Sequence, residues 1–117
     1  SSDLDNMPYV EEQKLEYKSL IAGTQMPVVT KKVTIGQDAA VITAGTVLEF
    51  EAASKKAKRA DTDVYGVALA DIDATKGDVV AEIAVTGEFA TANLVFKSGK
   101  KAEDFTAKAE ARNIYFR

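Results

Sequence analysis

The 117-residue chain contains no cysteine, no histidine and no tryptophan, and only two prolines. Without cysteine, disulfides and thiolate metal ligands are excluded. Without histidine, the commonest general base and the commonest metal ligand are missing together. No run of about 18 apolar residues is present to span a membrane as a helix. The opening stretch SSDLDNMPYVEEQKLEYKSL has neither a basic start nor an apolar run, so it does not read as a secretory signal. A soluble protein made inside a cell is the expectation.

Charge is scarce in net terms and unevenly placed. The net charge is −3, from 18 acidic and 15 basic residues. Residues 1–26 hold five of the acidic groups (Asp3, Asp5, Glu11, Glu12, Glu16) and two of the basic ones (Lys14, Lys18), which leaves thirteen of each sign in the rest. An acidic arm on a neutral body argues against nucleic acid, whose binding depends on cationic contacts to phosphate. Tyr9, Val10, Leu15, Tyr17, Leu20 and Ile21 are scattered through or just beyond the arm's acidic stretch. They are too few for a core and too many for an inert linker, a composition typical of segments that order only when docked. The competing reading is a short docked helix over residues 10–20. The expected organisation is an extended arm, 1–26, followed by one β-rich domain, 27–117, long enough for a single modest core.

From Pro27 the apolar period is two. Val29, Val33 and Ile35 share a face, Gly36-Gln37-Asp38 signals a turn, and Thr46–Glu51 reads as a strand with Leu48 and Phe50 inward. Residues 52–63, AASKKAKRADTD, lack apolar periodicity and read as an exposed loop or a frayed helical turn. Tyr65, Val67 and Leu69 alternate as a further strand, and Asp73–Asp78 is a turn. Leu94-Val95-Phe96 reads as a short strand. KAEDFTAKAEAR, residues 101–112, is the one helical stretch, with acidic groups in its first turn and Lys108 and Arg112 near its end. Asn113 suits a left-handed cap, and Ile114-Tyr115-Phe116 a closing strand.

The best strand, Val79–Val85, runs into Thr86-Gly87-Glu88-Phe89. Glycine inside a strand marks a bulge, a bend or a close backbone approach. The expected role is a corner that turns Phe89 into the core and leaves Glu88 outside, with Gly87 and Phe89 as structural residues.

Chemistry finds little footing. Ser98-Gly99-Lys100-Lys101 echoes a phosphate-binding loop, but Leu94 holds the earlier glycine position and Lys101 replaces the magnesium-binding hydroxyl. Asp71–Glu82 echoes a calcium loop with its glycine one place late and strands at both flanks. Among Asp61, Asp63, Asp71 and Glu88, no spacing selects an acid–base pair. No catalytic residue, metal site, cofactor or small-molecule substrate is expected.

The order of short motifs is informative in its own right. Leu20-Ile21-Ala22-Gly23 precedes Pro27–Thr30 and Val33–Ile35; Gly45–Leu48, Tyr65–Ala74, Thr86–Phe89 and a final Ala111–Arg117 follow. From about Leu20 onward the chain resembles the head decoration proteins of lambda-like tailed bacteriophages. It departs from them at Ala90, where Asn is common, at Asn113, where Gly is common, and in the basic run KKAKR. The resemblance implies a mainly β, β-tadpole-like domain with one C-terminal helix. It also implies a homotrimer that joins the outside of the expanded head and cements neighbouring copies of the major capsid protein against packaged DNA. The capsid-binding set on this reading is Tyr9, Val10, Leu15, Tyr17, Leu20 and Ile21, in an arm that is mobile in the free protein and adds to a capsid sheet. A small β-rich module binding a ligand or a carbohydrate is the alternative, and a carboxylate enzyme the third reading.

Overall fold

The computed structural model describes residues 28–117, so the six arm residues named above lie outside it. The described chain is mainly β. Six strands form one mixed sheet: β1 (Val29–Ile35), β2 (Val47–Glu51), β3 (Lys56–Arg59), β4 (Gly66–Ala68), β5 (Val79–Phe89) and β6 (Ile114–Phe116). One short helix, α1 (Thr106–Glu110), precedes the last strand.

Five of the strands close a ring. β1 runs antiparallel to β5 from Val29 opposite Thr86 to Ile35 opposite Val79. β5 pairs with β4, β4 with β2 and β2 with β3, each antiparallel. β3 returns to β1 in parallel at one position, Ile35 opposite Ala57. β6 stands outside the ring, parallel to Gly87–Phe89.

Each ring strand contributes at least one side chain to the same buried cluster: Val33 and Ile35 from β1, then Leu48, Ala57, Ala68 and Ile83, joined by Ile42, Ile72 and Ala74. This cluster fills the inside of the small barrel. A second cluster packs on the outer wall, where Val47, Val67 and Ala84 meet Phe89, Phe105, Ala109 and Ile114 of the C-terminal part. Phe89 and Phe105 are fully buried there, each contributing roughly 1.5–3 kcal/mol through burial alone. Phe96 stacks on Phe105 at 5.7 Å between ring centres and meets Phe116 edge-on at 5.8 Å. With cores on both faces, β2 buries neighbours, Val47 and Leu48, instead of every second residue. Phe50 is only half-buried, 5.0 Å from the Tyr65 ring.

Three expectations need correction. The run 52–63 is neither loop nor helical turn throughout, because Lys56–Arg59 is strand β3 in a hairpin with β2. The connection turns at Lys55, with φ 59 and its N–H donating to the Glu51 carbonyl at 2.8 Å. Only Ala57 of β3 is fully buried, so the strand carries no apolar alternation. Residues 94–96 form no strand; Val95 makes an isolated parallel bridge to Thr46. The expected helix over 101–112 is shorter, since Ala102–Asp104 is a 3-10 turn and the α-helix spans Thr106–Glu110. There the Asp104 carboxylate accepts from the Lys101 N–H at 2.8 Å, capping the tight turn before the helix can begin.

Val29 is about half exposed, whereas Val33 and Ile35 are buried; the register against β5 shifts between Val29 and Thr30, where β5 carries Val85 as an extra residue. TGEF, in turn, does not interrupt β5. The strand continues through it and changes partner, from β1 and β4 to β6.

Candidate interaction surface

The described chain begins at Val28, which packs half-buried against the outer cluster and beside Gly87. The next four residues, Val29, Thr30, Lys31 and Lys32, are all exposed. Along one edge β1 is held by β5 over its whole length. Along the other, β3 reaches it only at Ile35, with the Gly36 N–H donating to the Ala57 carbonyl at 2.9 Å just beyond. Among the described residues, no strand covers that edge from Val29 to Thr34.

The side chains around this edge are polar with apolar patches. Lys32 stands opposite Glu82, which accepts from the Thr30 hydroxyl at 2.9 Å. Val80, opposite Thr34, is 69 % exposed, the most of any large apolar side chain among the described residues. Lysine on an open strand edge discourages indiscriminate pairing with other chains, since a buried ammonium is costly. The sequence VTKKVT carried this signal. Two lysines at the middle of an apolar alternation mark an edge more specifically than a tolerated exception.

The end of β1 is sewn to its neighbours by side chains. Asp78 accepts from the Gln37 N–H at 2.9 Å and pairs with Lys56. The Lys56 ammonium and that N–H hold the Asp78 carboxyl below the usual carboxylate range. Gln37 donates to the Thr75 carbonyl at 3.1 Å. Arg59 pairs with Asp38 at 2.9 Å and donates to the Val41 carbonyl at 3.1 Å. The basic run KKAKR thus spends Lys56, Lys58 and Arg59 on ion pairs within the fold.

Glu49 is the best-buried ion-pairing carboxylate of the barrel wall, its side chain 12 % exposed. Burial opposes its charge. The N–H groups of Asp61 and Thr62, donating to it at 2.6 and 3.0 Å, and nearby Lys58 outweigh that effect and hold its pKa below the ordinary value. The same loop reaches the C-terminal part through Asp61 to Lys100 at 3.4 Å and Asp63 to Arg112 at 4.0 Å. Glu49 and Arg59 did not stand out in the sequence, where each is one charge among many.

The carboxylates considered as acid–base candidates sit in separate structural roles. Asp61 and Asp63 face the cations just named, Asp71 accepts from the Ala44 N–H at 2.8 Å, and Glu88 pairs with Arg117 at 2.9 Å. The calcium-like run disperses in the same way. Asp73 caps its own turn, accepting from the Thr75 hydroxyl and N–H at 2.6 and 3.0 Å, which lowers its pKa. Asp78 turns to Gln37 and Lys56, and Glu82 to Thr30. Ser98-Gly99-Lys100 is a tight turn, with Gly99 at φ 84 and the Lys100 N–H donating to the Lys97 carbonyl at 2.9 Å.

Gly87 adopts φ 143, and its N–H donates to the Asn113 carbonyl at 3.0 Å. Phe89 is fully buried two residues later, while Glu88 lies between core and solvent under its ion pair with Arg117. Arg117 also covers the Tyr115 ring at 5.0 Å. Compared with known proteins, the chain matches no family model and no curated sequence.

Proposed function

We propose that the chain is a head decoration protein of a lambda-like tailed phage, a structural protein without enzymatic activity. On this reading it binds the outside of the expanded shell as a homotrimer and cements neighbouring major capsid subunits against the pressure of packaged DNA. Its place of action is the virion surface, after synthesis in the host cytoplasm. The order of short motifs from Leu20 to Arg117 supports the reading.

The single observation that carries it is the junction at Val28. There Val28, which follows the acidic stretch in sequence, packs beside Gly87 and leads directly into β1, whose second edge from Val29 to Thr34 no strand covers among the described residues. A closed barrel with a packed interior is a rigid base. A strand-forming segment rooted on such a base can add to the edge of a partner's sheet, with main-chain hydrogen bonds giving affinity and side chains such as Tyr9, Val10, Leu15, Tyr17, Leu20 and Ile21 giving fit. Three such segments per trimer convert individually weak contacts into firm attachment.

The test is mechanical. DNA-filled heads of a lambda-like phage lacking their own decoration protein are heated with and without the chain, and the fraction retaining DNA is counted. Retention at higher temperature with the chain present is the expected result. Identical loss curves contradict the reading, and specific retention on a glycan array instead favours the carbohydrate-binding alternative.

A further inference from the structure

β3 and β4 flank β2 on opposite sides, so the connection between them, residues 60–65, has to cross β2. Both ends of the crossing are fixed. The Ala60 N–H donates to the Val47 carbonyl at 3.0 Å and the Tyr65 N–H to the Leu48 carbonyl at 2.7 Å. The Ala60 and Val64 side chains are buried in the outer cluster. The tip between them, Asp61-Thr62-Asp63, is polar and buries no apolar side chain. Glu49 holds it down. One carboxylate oxygen, Oε1, accepts from the Asp61 N–H at 2.6 Å and the Thr62 N–H at 3.0 Å, and the side chain is 12 % exposed beneath them.

Successive N–H groups aimed at one oxygen make a seat for an anion. Bonds to a charged carboxylate are roughly twice as strong as neutral ones. A protonated carboxyl also carries an O–H, a donor placed among donors. The seat therefore grips Glu49 when it is charged and loosens when it is neutral.

The seated tip reaches outward to the C-terminal part. Asp61 faces Lys100 at 3.4 Å and Lys97 at 3.9 Å. Asp63 faces Arg112 at 4.0 Å, and that guanidinium lies 5.4 Å over the Tyr65 ring. The other charged groups around Glu49 are Lys58 on β3, at 3.8 Å, and Glu51 on β2, which shares Lys58 at 3.4 Å. The four cations keep their charge in acid, so the carboxylates are the groups that change.

We infer that Glu49 is an acid-operated latch. Its charge pins the 61–63 tip across β2, and its protonation releases the tip and uncouples the C-terminal part from the barrel wall while the ring stays closed. Nothing in this device depends on attachment to a shell. Burial opposes the charge of Glu49, but the N–H groups and Lys58 outweigh it and lower its pKa. The latch is thus closed above the unfolded carboxylate value, about 4.3, and opens as pH falls through the lower folded value.

The experiment follows backbone amide exchange in the full chain by NMR, at about pH 6 and about pH 3.5, with rates divided by those of unstructured peptides. In the wild type, protection at Thr62, and at Ala109, Ala111 and Arg112 around the end of α1, should fall about tenfold or more in acid. The paired amides of β1 and β5 should stay protected. Glu49→Gln, neutral at both values, should show at about pH 6 the exchange that the wild type shows in acid, and change no further. Asp61→Asn combined with Asp63→Asn removes the outward ion pairs. There Thr62 should keep its acid response while the helical amides lose theirs. Wild-type protection of Thr62 in the glutamine variant, or a continued acid loss in it, overturns the inference. Loss of the acid response at Thr62 in the asparagine variant also overturns it, by assigning that response to the tip's own carboxylates. Equal loss of protection along β1 and β5 in the wild type overturns it in favour of unfolding as one unit.

Discussion

Ala84 and Phe89 lie five positions apart on one continuous strand, and both point into the same outer core. In a regular strand an odd separation places two side chains on opposite faces. The parity is reset between Ala84 and Gly87, where the pairing with β1 steps from Thr30 opposite Ala84 to Val29 opposite Thr86 and leaves Val85 as the extra residue; Gly87, at φ 143, already shares the face of Phe89. The barrel half of β5 can therefore line the ring while its last residues turn Phe89 under the C-terminal part.

Gly87→Val is expected to destabilise the fold by about 1–3 kcal/mol. Besides the backbone conformation, a Cβ at this position would stand 3.2 Å from Val28 Cγ2 and 3.3 Å from Phe89 Cζ. Glu88→Gln, which loses one partly exposed ion pair with Arg117, should cost less than about 1 kcal/mol. Urea denaturation midpoints compare the two. An unchanged midpoint for the valine variant would mean that Gly87 lies in ordinary strand backbone that accepts a side chain.

Asn113, with φ 63, ends the helical turn in the left-handed conformation. Asn113→Gly should match or slightly exceed wild-type stability, and Asn113→Ala should lose about 1 kcal/mol or more. Thermal melting of the three proteins side by side checks the order. Equal melting of the alanine variant would show that the turn tolerates an ordinary backbone.

Glu49 makes acid stability a sensitive readout of the barrel wall. Its folded pKa is lowered, so its contribution is fully present above the unfolded carboxylate value, about 4.3. That contribution is lost as pH falls through the lower folded value. Glu49→Gln should cost about 1–3 kcal/mol at neutral pH by weakening the bonds from the Asp61 and Thr62 N–H groups. It should also flatten the decline in melting temperature below about pH 4.3. Parallel wild-type and variant curves through the acid range would assign that decline to other carboxylates.

The strands with one apolar face were legible from the sequence. Val33 and Ile35 in β1, the region of β2 and the burial of Phe89 follow from period two, the unusual backbone at Gly87 from glycine itself, and Asn113 from its tolerance of positive φ. β3 was not legible, because its fully buried side chain is a lone alanine among lysines and arginine, whose ion pairs are made across the fold. Closure of the ring depends on Ile35 meeting Ala57, a parallel contact between distant segments that no local pattern encodes. The second core also escaped the alternation rule, since Val47 and Leu48 are both buried on opposite walls. Of the interaction surface, the two lysines of β1 were visible as residues, but their place on an open edge emerged only from the pairing.

On the proposed reading, the chain attaches to expanded phage heads through the segment preceding its barrel. Co-sedimentation of the full chain, and of a chain lacking residues 1–20, with expanded and unexpanded lambda-like shells tests it most directly. Expected are saturable binding of the full chain to expanded shells only, and no binding of the shortened chain although its melting temperature stays close to wild type. Wild-type affinity of the shortened chain, or equal binding of the full chain to both shell forms, would contradict it.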